Sequence, residues 1–190
     1  MEFVRKGFSE EEAREWIDYG FDASDASEWA EYFEDPAEAS EWREYFGEPS
    51  EASEWSHRFS PSEAYQWSKV VDSPRIAEKW DDLDYTPREA EKWIEAGFDV
   101  YEAKKWIDED FDAREATDWA DFDFTPAEAR RWQDYGFESY EAKDWREIGF
   151  EPEKAKMWRN YGLTPEEAEE MIKKGITNPE EAAIIVRMKR

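Results

Sequence analysis

The chain has 190 residues, of which 51 are acidic and 25 basic, giving a formal net charge of −26. Such a polyanion argues against direct nucleic-acid binding, because phosphates need neutralising cations, and against electrostatic docking on anionic membranes. Charge this dense would favour disorder if aromatic residues were scarce, but Trp, Phe and Tyr make up 17% of the chain and fall at fixed offsets.

The order begins at once. Phe3 lies 13 residues before Trp16, so residues 1–6 are expected to form a partial helix covering the first repeat. Tryptophan then recurs at 16, 29, 42, 55, 67, 80, 93, 106, 119, 132, 145 and 158, in steps of 13 with a single step of 12 between Trp55 and Trp67. Met171 continues the series and Ile185 closes it after a step of 14. An alanine stands three residues before each of these fourteen positions, from Ala13 to Ala182. A period so short marks a tandem array, which folds by stacking neighbours instead of around one central core.

Within a repeat the start and stop of a helix are both legible. All nine prolines lie six residues before the Trp-equivalent position, where a first-turn proline sacrifices no hydrogen bond. Ser60, Ser73, Thr86, Thr125 and Thr164 precede proline as N-caps. Glu63, Glu89, Glu128 and Glu167 follow three residues after a cap and complete a capping box; Ile76 and Lys154 break that pattern. Gly7, Gly20, Gly97, Gly136, Gly149, Gly162 and Gly175 sit four residues after the Trp-equivalent position, where a left-handed residue ends a helix. Asp84, Asp110 and Asp123 replace glycine there, and aspartate tolerates that conformation better than most residues.

The aromatic after glycine (Phe8, Phe21, Phe98, Phe111, Phe124, Phe137, Phe150) is placed to contact the preceding Trp and the next Ala. Ala and Trp, three apart, share a helix face. The predicted fold is all-α: a single-chain α-solenoid or superhelix of about fourteen 13-residue repeats. Each repeat contributes one short helix of about ten residues, with Trp, Ala and Phe inside and carboxylates outside. Loss of one buried ring, as in Trp93→Ala, is expected to cost about 3–5 kcal/mol. The whole chain is expected to be one repeat domain: a partial cap at 1–6, core repeats over 7–174 and a capping repeat at 175–190.

Two regions depart from the consensus. Across 33–75 the aromatic moves one position earlier (Phe33-Glu34-Asp35, Phe46-Gly47-Glu48), the short step carries His57-Arg58-Phe59, and Val71-Asp72-Ser73 lacks an aromatic. This segment is expected to differ in turn geometry, as a kink or binding surface, or to be divergence of a redundant repeat. The last repeat, Ala182-Ala183-Ile184-Ile185-Val186 with Met188, is more apolar than any other and ends in Arg187, Lys189 and Arg190. It is expected to be a cap whose basic residues complement the helix dipole; the alternatives are an exposed apolar face for self-association or partner docking, and a membrane contact.

Nothing in the chain points to catalysis, so the protein is expected not to be an enzyme and to need no cofactor, metal or small-molecule substrate. Repeated solvent-facing carboxylates lack the special environment that general acid–base chemistry requires, and His57, the one histidine, has no nucleophile arranged around it. Acidic clusters at Asp81-Asp82-Leu83-Asp84, Asp108-Glu109-Asp110 with Asp112, and Asp121-Phe122-Asp123 lack the spacing of a calcium loop. With no cysteine there is neither a disulfide framework nor a thiolate site. No apolar run approaches the ~20 residues of a membrane span, and Met1-Glu2-Phe3-Val4 does not begin a signal peptide. A soluble protein is expected, with the cytoplasm favoured.

The acids are unevenly spread: residues 1–60 hold 18 acids and 5 bases, whereas residues 151–190 hold 8 of each. The sequence therefore favours a non-catalytic repeat scaffold whose acidic surface binds a basic protein, with Glu28, Glu31, Glu41, Glu44 and Glu54 as the candidate contact residues. The alternatives are a structural protein whose copies assemble end to end into a filament or shell, and a nucleic-acid mimic that occupies a DNA-binding protein.

Overall fold

In a computed structural model describing residues 2–189, the secondary structure is entirely helical among those residues, with fifteen short helices and no strand. Arg190 lies outside the described residues. The chain divides between Glu95 and Ala96 into two compact units. The first contains α1 (Glu2–Arg5), α2 (Glu10–Asp18), α3 (Ala23–Trp29), α4 (Pro36–Arg43), α5 (Pro49–Ser56), α6 (Pro61–Ser68), α7 (Pro74–Asp81) and α8 (Pro87–Glu95). The second contains α9 (Val100–Ile107), α10 (Ala113–Ala120), α11 (Pro126–Asp134), α12 (Ser139–Glu147), α13 (Pro152–Asn160), α14 (Pro165–Lys173) and α15 (Pro179–Lys189). Each unit is a helical-repeat solenoid. Helices α2 to α14 span 7 to 9 residues, shorter than the ten expected, because the cap and the closing turn take the remaining residues.

Every proline opens a helix, and every Trp is buried, at 0–5% exposure. The partner alanines are at 0% from Ala26 to Ala182, with Ala13 at 9%, which lets a neighbouring helix approach closely enough for the indole to fill the joint. The aromatics follow suit except Phe8 and Phe98, which are half-buried. Trp80 is wholly buried with its indole N–H unpaired, the one such side-chain atom among the described residues. The last repeat corrects the expected register: Ala182, Ala183 and Val186 are buried, while Ile185 is only half-buried.

Two turn types account for every step length. In the common type the aromatic follows the Trp-equivalent residue by five, and its N–H donates back to that carbonyl, as Phe21 does to Trp16 (3.0 Å) and Phe137 to Trp132 (3.1 Å). The preceding residue donates to the carbonyl three back, as Gly20 does to Ile17, and adopts positive φ (80° at Gly20, 57° at Asp123). This is a Schellman closure. In the second type Phe33, Phe46, Phe59 and Val71 follow Trp by four, their N–H groups donate to its carbonyl, and none has positive φ. A bulky residue at that position resists the left-handed region, so the helix closes without it.

From the closing apolar residue to the next Trp-equivalent position the chain takes eight residues or nine. Five then eight, or four then nine, gives the common step of 13. Four then eight gives the step of 12 at Phe59, and five then nine gives the step of 14 after Met171. The irregular stretch thus has its own turn geometry, and the rings record it. Trp16–Phe21, Trp106–Phe111, Trp119–Phe124 and Trp132–Phe137 meet edge to face at 82–89°. Trp29–Phe33, Trp42–Phe46 and Trp55–Phe59 tilt to 31–50°. Trp145–Phe150, at 34°, and Trp80–Tyr85, at 49°, depart from this correlation, and nothing in their turns explains that.

Gly162 isolates the cost of the left-handed position. It has φ of +80°, and an added Cβ would meet nothing within 4 Å. Gly162→Ala is therefore expected to cost about 1–2 kcal/mol purely through backbone conformation, measurable by chemical denaturation.

A second element ties three of the helices, α4, α12 and α13, to the one two positions earlier. Arg43, Arg146 and Arg159 directly follow a Trp. Arg159 donates to the carbonyls of Gly136 (2.9 Å) and Tyr135 (3.1 Å). Its guanidinium lies 3.7 Å from the Phe137 ring centroid and 3.2 Å from the Glu141 carboxylate. Arg43 repeats this on Tyr19 and Gly20, the Phe21 ring and Asp25. Arg146 repeats it on Phe122 and Asp123 and the Phe124 ring. One guanidinium thus satisfies orphan carbonyls at the negative end of one helix and stacks on the ring that closes it. In α4 and α13 it also pairs with an acid in the first turn of the intervening helix.

A candidate acidic interaction surface on α3–α5

Four of the first-turn acids are structural. Glu12, Glu63, Glu89 and Glu128 turn back on their caps: Ser9 N–H donates to Glu12 (2.7 Å), Ser60 N–H to Glu63 (3.0 Å), Thr86 N–H to Glu89 (2.9 Å) and Thr125 N–H to Glu128 (2.9 Å). These bonds hold the carboxyls below their ordinary value of 4.5, chiefly through the cap backbone N–H at Glu12 and Glu128 and the cap hydroxyl at Glu63 and Glu89. Where Ile76 and Lys154 stand at that position, the caps Ser73 and Glu151 make no side-chain bond.

A folded-state value below the unfolded one gives stability that is full above about pH 4.5 and is lost as pH falls through the folded values. The melting-temperature advantage of the native chain over a variant with Gln at 12, 63, 89 and 128 is expected to shrink on acidification from pH 5 to about pH 2.5. The comparison cancels the general relief of repulsion that acid brings to the rest of the surface.

The clustered aspartates also have structural work. Asp84, Asp110 and Asp123 are the left-handed residues of their turns. Asp81 and Asp82 receive Arg58 at 2.7 and 3.1 Å, and Asp108 receives Lys104 at 2.7 Å. His57 is an exposed residue at the C-terminus of α5. At the last helix the basic residues reach neighbours: Arg187 donates to the carbonyl of Tyr161 (3.3 Å) and Lys189 to Glu170 (3.2 Å). Ile184 and Met188 remain 53% and 84% exposed.

The five candidate contact residues lie on one run of the first unit, and all are exposed. Glu28, Glu41 and Glu54 each directly precede the Trp of α3, α4 and α5. Glu31 and Glu44 follow three residues later, in the closing turn of α3 and at the C-cap of α4. The run is wider than those five, because Glu34, Glu38, Glu48 and Glu51 are exposed as well. None of the nine glutamates has an ion pair among the described residues. The only lysine or arginine across residues 22–57 is Arg43, committed to carbonyls, a ring and Asp25. Tyr32 and Tyr45, at 47% and 38% exposure, stand beside Glu31 and Glu44.

The four additional glutamates were legible from the acid count. The commitment of Arg43 was not, although the recurrence of arginine directly after Trp at 43, 146 and 159 was a usable signal. No helix among the described residues is long and apolar enough to cross a membrane. The fold defines the class as a tryptophan-based helical-repeat solenoid. Against known protein families, characterised proteins and solved structures the chain finds no match, so the surface chemistry is the guide to function.

Proposed function

We propose that the protein is a non-catalytic repeat scaffold whose α3–α5 face binds a basic protein partner. One observation carries this reading: nine exposed glutamates on three consecutive short helices and the turns between them, with no lysine or arginine of that run left to neutralise them. Like charges held this close repel, and a cationic partner relieves the repulsion while being steered in by the field. The exposed rings of Tyr32 and Tyr45 add faces on which a lysine or arginine side chain stacks.

The test compares equal changes of charge in different places. Variants with Gln at 28, 31, 41, 44 and 54, or with neutral amides at Glu11, Asp72, Glu91, Asp118 and Asp121, are titrated by calorimetry with a lysine- and arginine-rich peptide. The clustered variant is expected to weaken binding about tenfold or more, and the scattered one by about threefold or less. Equal losses would mean that net charge alone, and no particular face, governs association.

A further inference from the structure

We propose that the cleft between α6 and the turn joining α7 to α8 is a receptor for an arginine side chain of the basic partner, an inference that rests on the preceding reading. The cleft has a volume of about 390 Å³ and is bounded by Phe59, Glu63, Trp67, Asp81, Asp84 and Tyr85. A second cleft, of about 370 Å³, lies 39 residues further on at every one of these positions, at Phe98, Glu102, Trp106, Ala120, Asp123 and Phe124. A third lies 65 residues on, with Glu128, Trp132, Arg146 and Phe150 in its wall, and measures only about 110 Å³. All three are the same place in the repeat.

Two lining positions distinguish them: one holds Gln66 or Lys105 in the large clefts and Arg131 in the small one, and the other is the residue directly after Trp. In the small cleft it is Arg146, which extends across to the Phe124 ring and the carbonyls of Phe122 and Asp123. In the large ones it is Asp81 or Ala120, and no guanidinium enters from that position. The chain therefore displays its own occupied form of the site. In α4, α12 and α13 an arginine lies 3.7 Å from the ring centroid of the residue 22 positions earlier. In α4 and α13 it also pairs with the first-turn carboxylate 18 positions earlier.

Counted back from Asp81, those positions are Phe59 and Glu63, and both line the cleft. Asp81 and Asp84 add two carboxylates that the filled sites lack, and no basic residue lines the cavity. Asp81 is spanned by Arg58 from outside the lining, through bonds of 3.1 and 2.7 Å. Ring face, first-turn carboxylate and flanking acids are the elements that select a planar guanidinium over an ammonium.

The experiment uses the full chain, a Gly/Ser peptide bearing spaced arginines, and its lysine counterpart. Affinities and backbone amide shifts are followed by two-dimensional NMR. The arginine peptide is expected to bind about tenfold more tightly than the lysine peptide, with the largest shifts at Phe59, Glu63 and Asp84. D81R places a guanidinium at the position that Arg146 fills in the small cleft, while Arg58 keeps its partner Asp82. This variant should abolish the preference. D84N, which suits the left-handed position, should reduce the preference without altering the packing. Equal affinity for the two peptides, or a preference surviving in both variants, would overturn the arginine receptor while leaving the acidic face standing. Absence of binding by either peptide at low salt would remove both readings.

Discussion

Trp132→Ala is expected to destabilise the protein by about 3–5 kcal/mol, the range for emptying a fully packed aromatic site. Trp132 is 4% exposed, with Phe124 at 6.4 Å on one side and Phe137 at 5.1 Å and 83° on the other. Each ring is shared between consecutive repeats, so the truncation opens two joints at once. The neighbouring Ala129 is at 0% exposure and is too small to collapse into the space. Total stabilities of domains are about 5–15 kcal/mol, so this single change removes a large fraction. In a nearest-neighbour array the damage should also be local. Hydrogen exchange is expected to accelerate most in α11 and its immediate neighbours, and denaturant titration gives the magnitude.

Arg159→Ala should be the most damaging change outside the aromatic core, at about 2–3 kcal/mol, from charge-assisted hydrogen bonds to two carbonyls and a ring contact. The side chain is only 25% exposed and its partner Glu141 35%, so water replaces these interactions poorly. Arg159→Lys should recover less than half of the loss, because an ammonium cannot fork onto the carbonyls of Tyr135 and Gly136 while lying flat on Phe137. Thermal unfolding of the three proteins at matched salt decides it. A full recovery by lysine would reduce the contact to simple charge attraction.

Much of the fold was written in local chemistry. Proline, cap and glycine each mark one residue of a repeat, and ten of the expected left-handed positions do have positive φ, Asp84, Asp110 and Asp123 among them. Such features are legible because they depend on residues within one turn of the chain. The step of 12 was visible as a number but not as a mechanism: it follows from combining one turn type at Phe59 with the other type's link. The register at Val186 was missed because the link before α15 is one residue longer, and Val186 is buried where the repeat pattern pointed to Ile185.

The arginine contacts were hidden for a different reason. They join residues 23 and 24 apart, a separation fixed by how helix stacks on helix, which no local rule contains. The same holds for the clefts. On the candidate surface, Glu28, Glu31, Glu41, Glu44 and Glu54 could be placed outward from the Trp phase alone. That no base offsets them depended on where Arg43 and Arg58 point.

The contact face is tested most directly by hydrogen–deuterium exchange of the intact chain with and without a saturating lysine- and arginine-rich peptide at low salt. Protection concentrated in α3 to α5 and at the edge of α6, and lost when Gln replaces the glutamates at 28, 31, 41, 44 and 54, is the predicted result. Protection spread evenly over both units, or confined to residues 96–189, would contradict it.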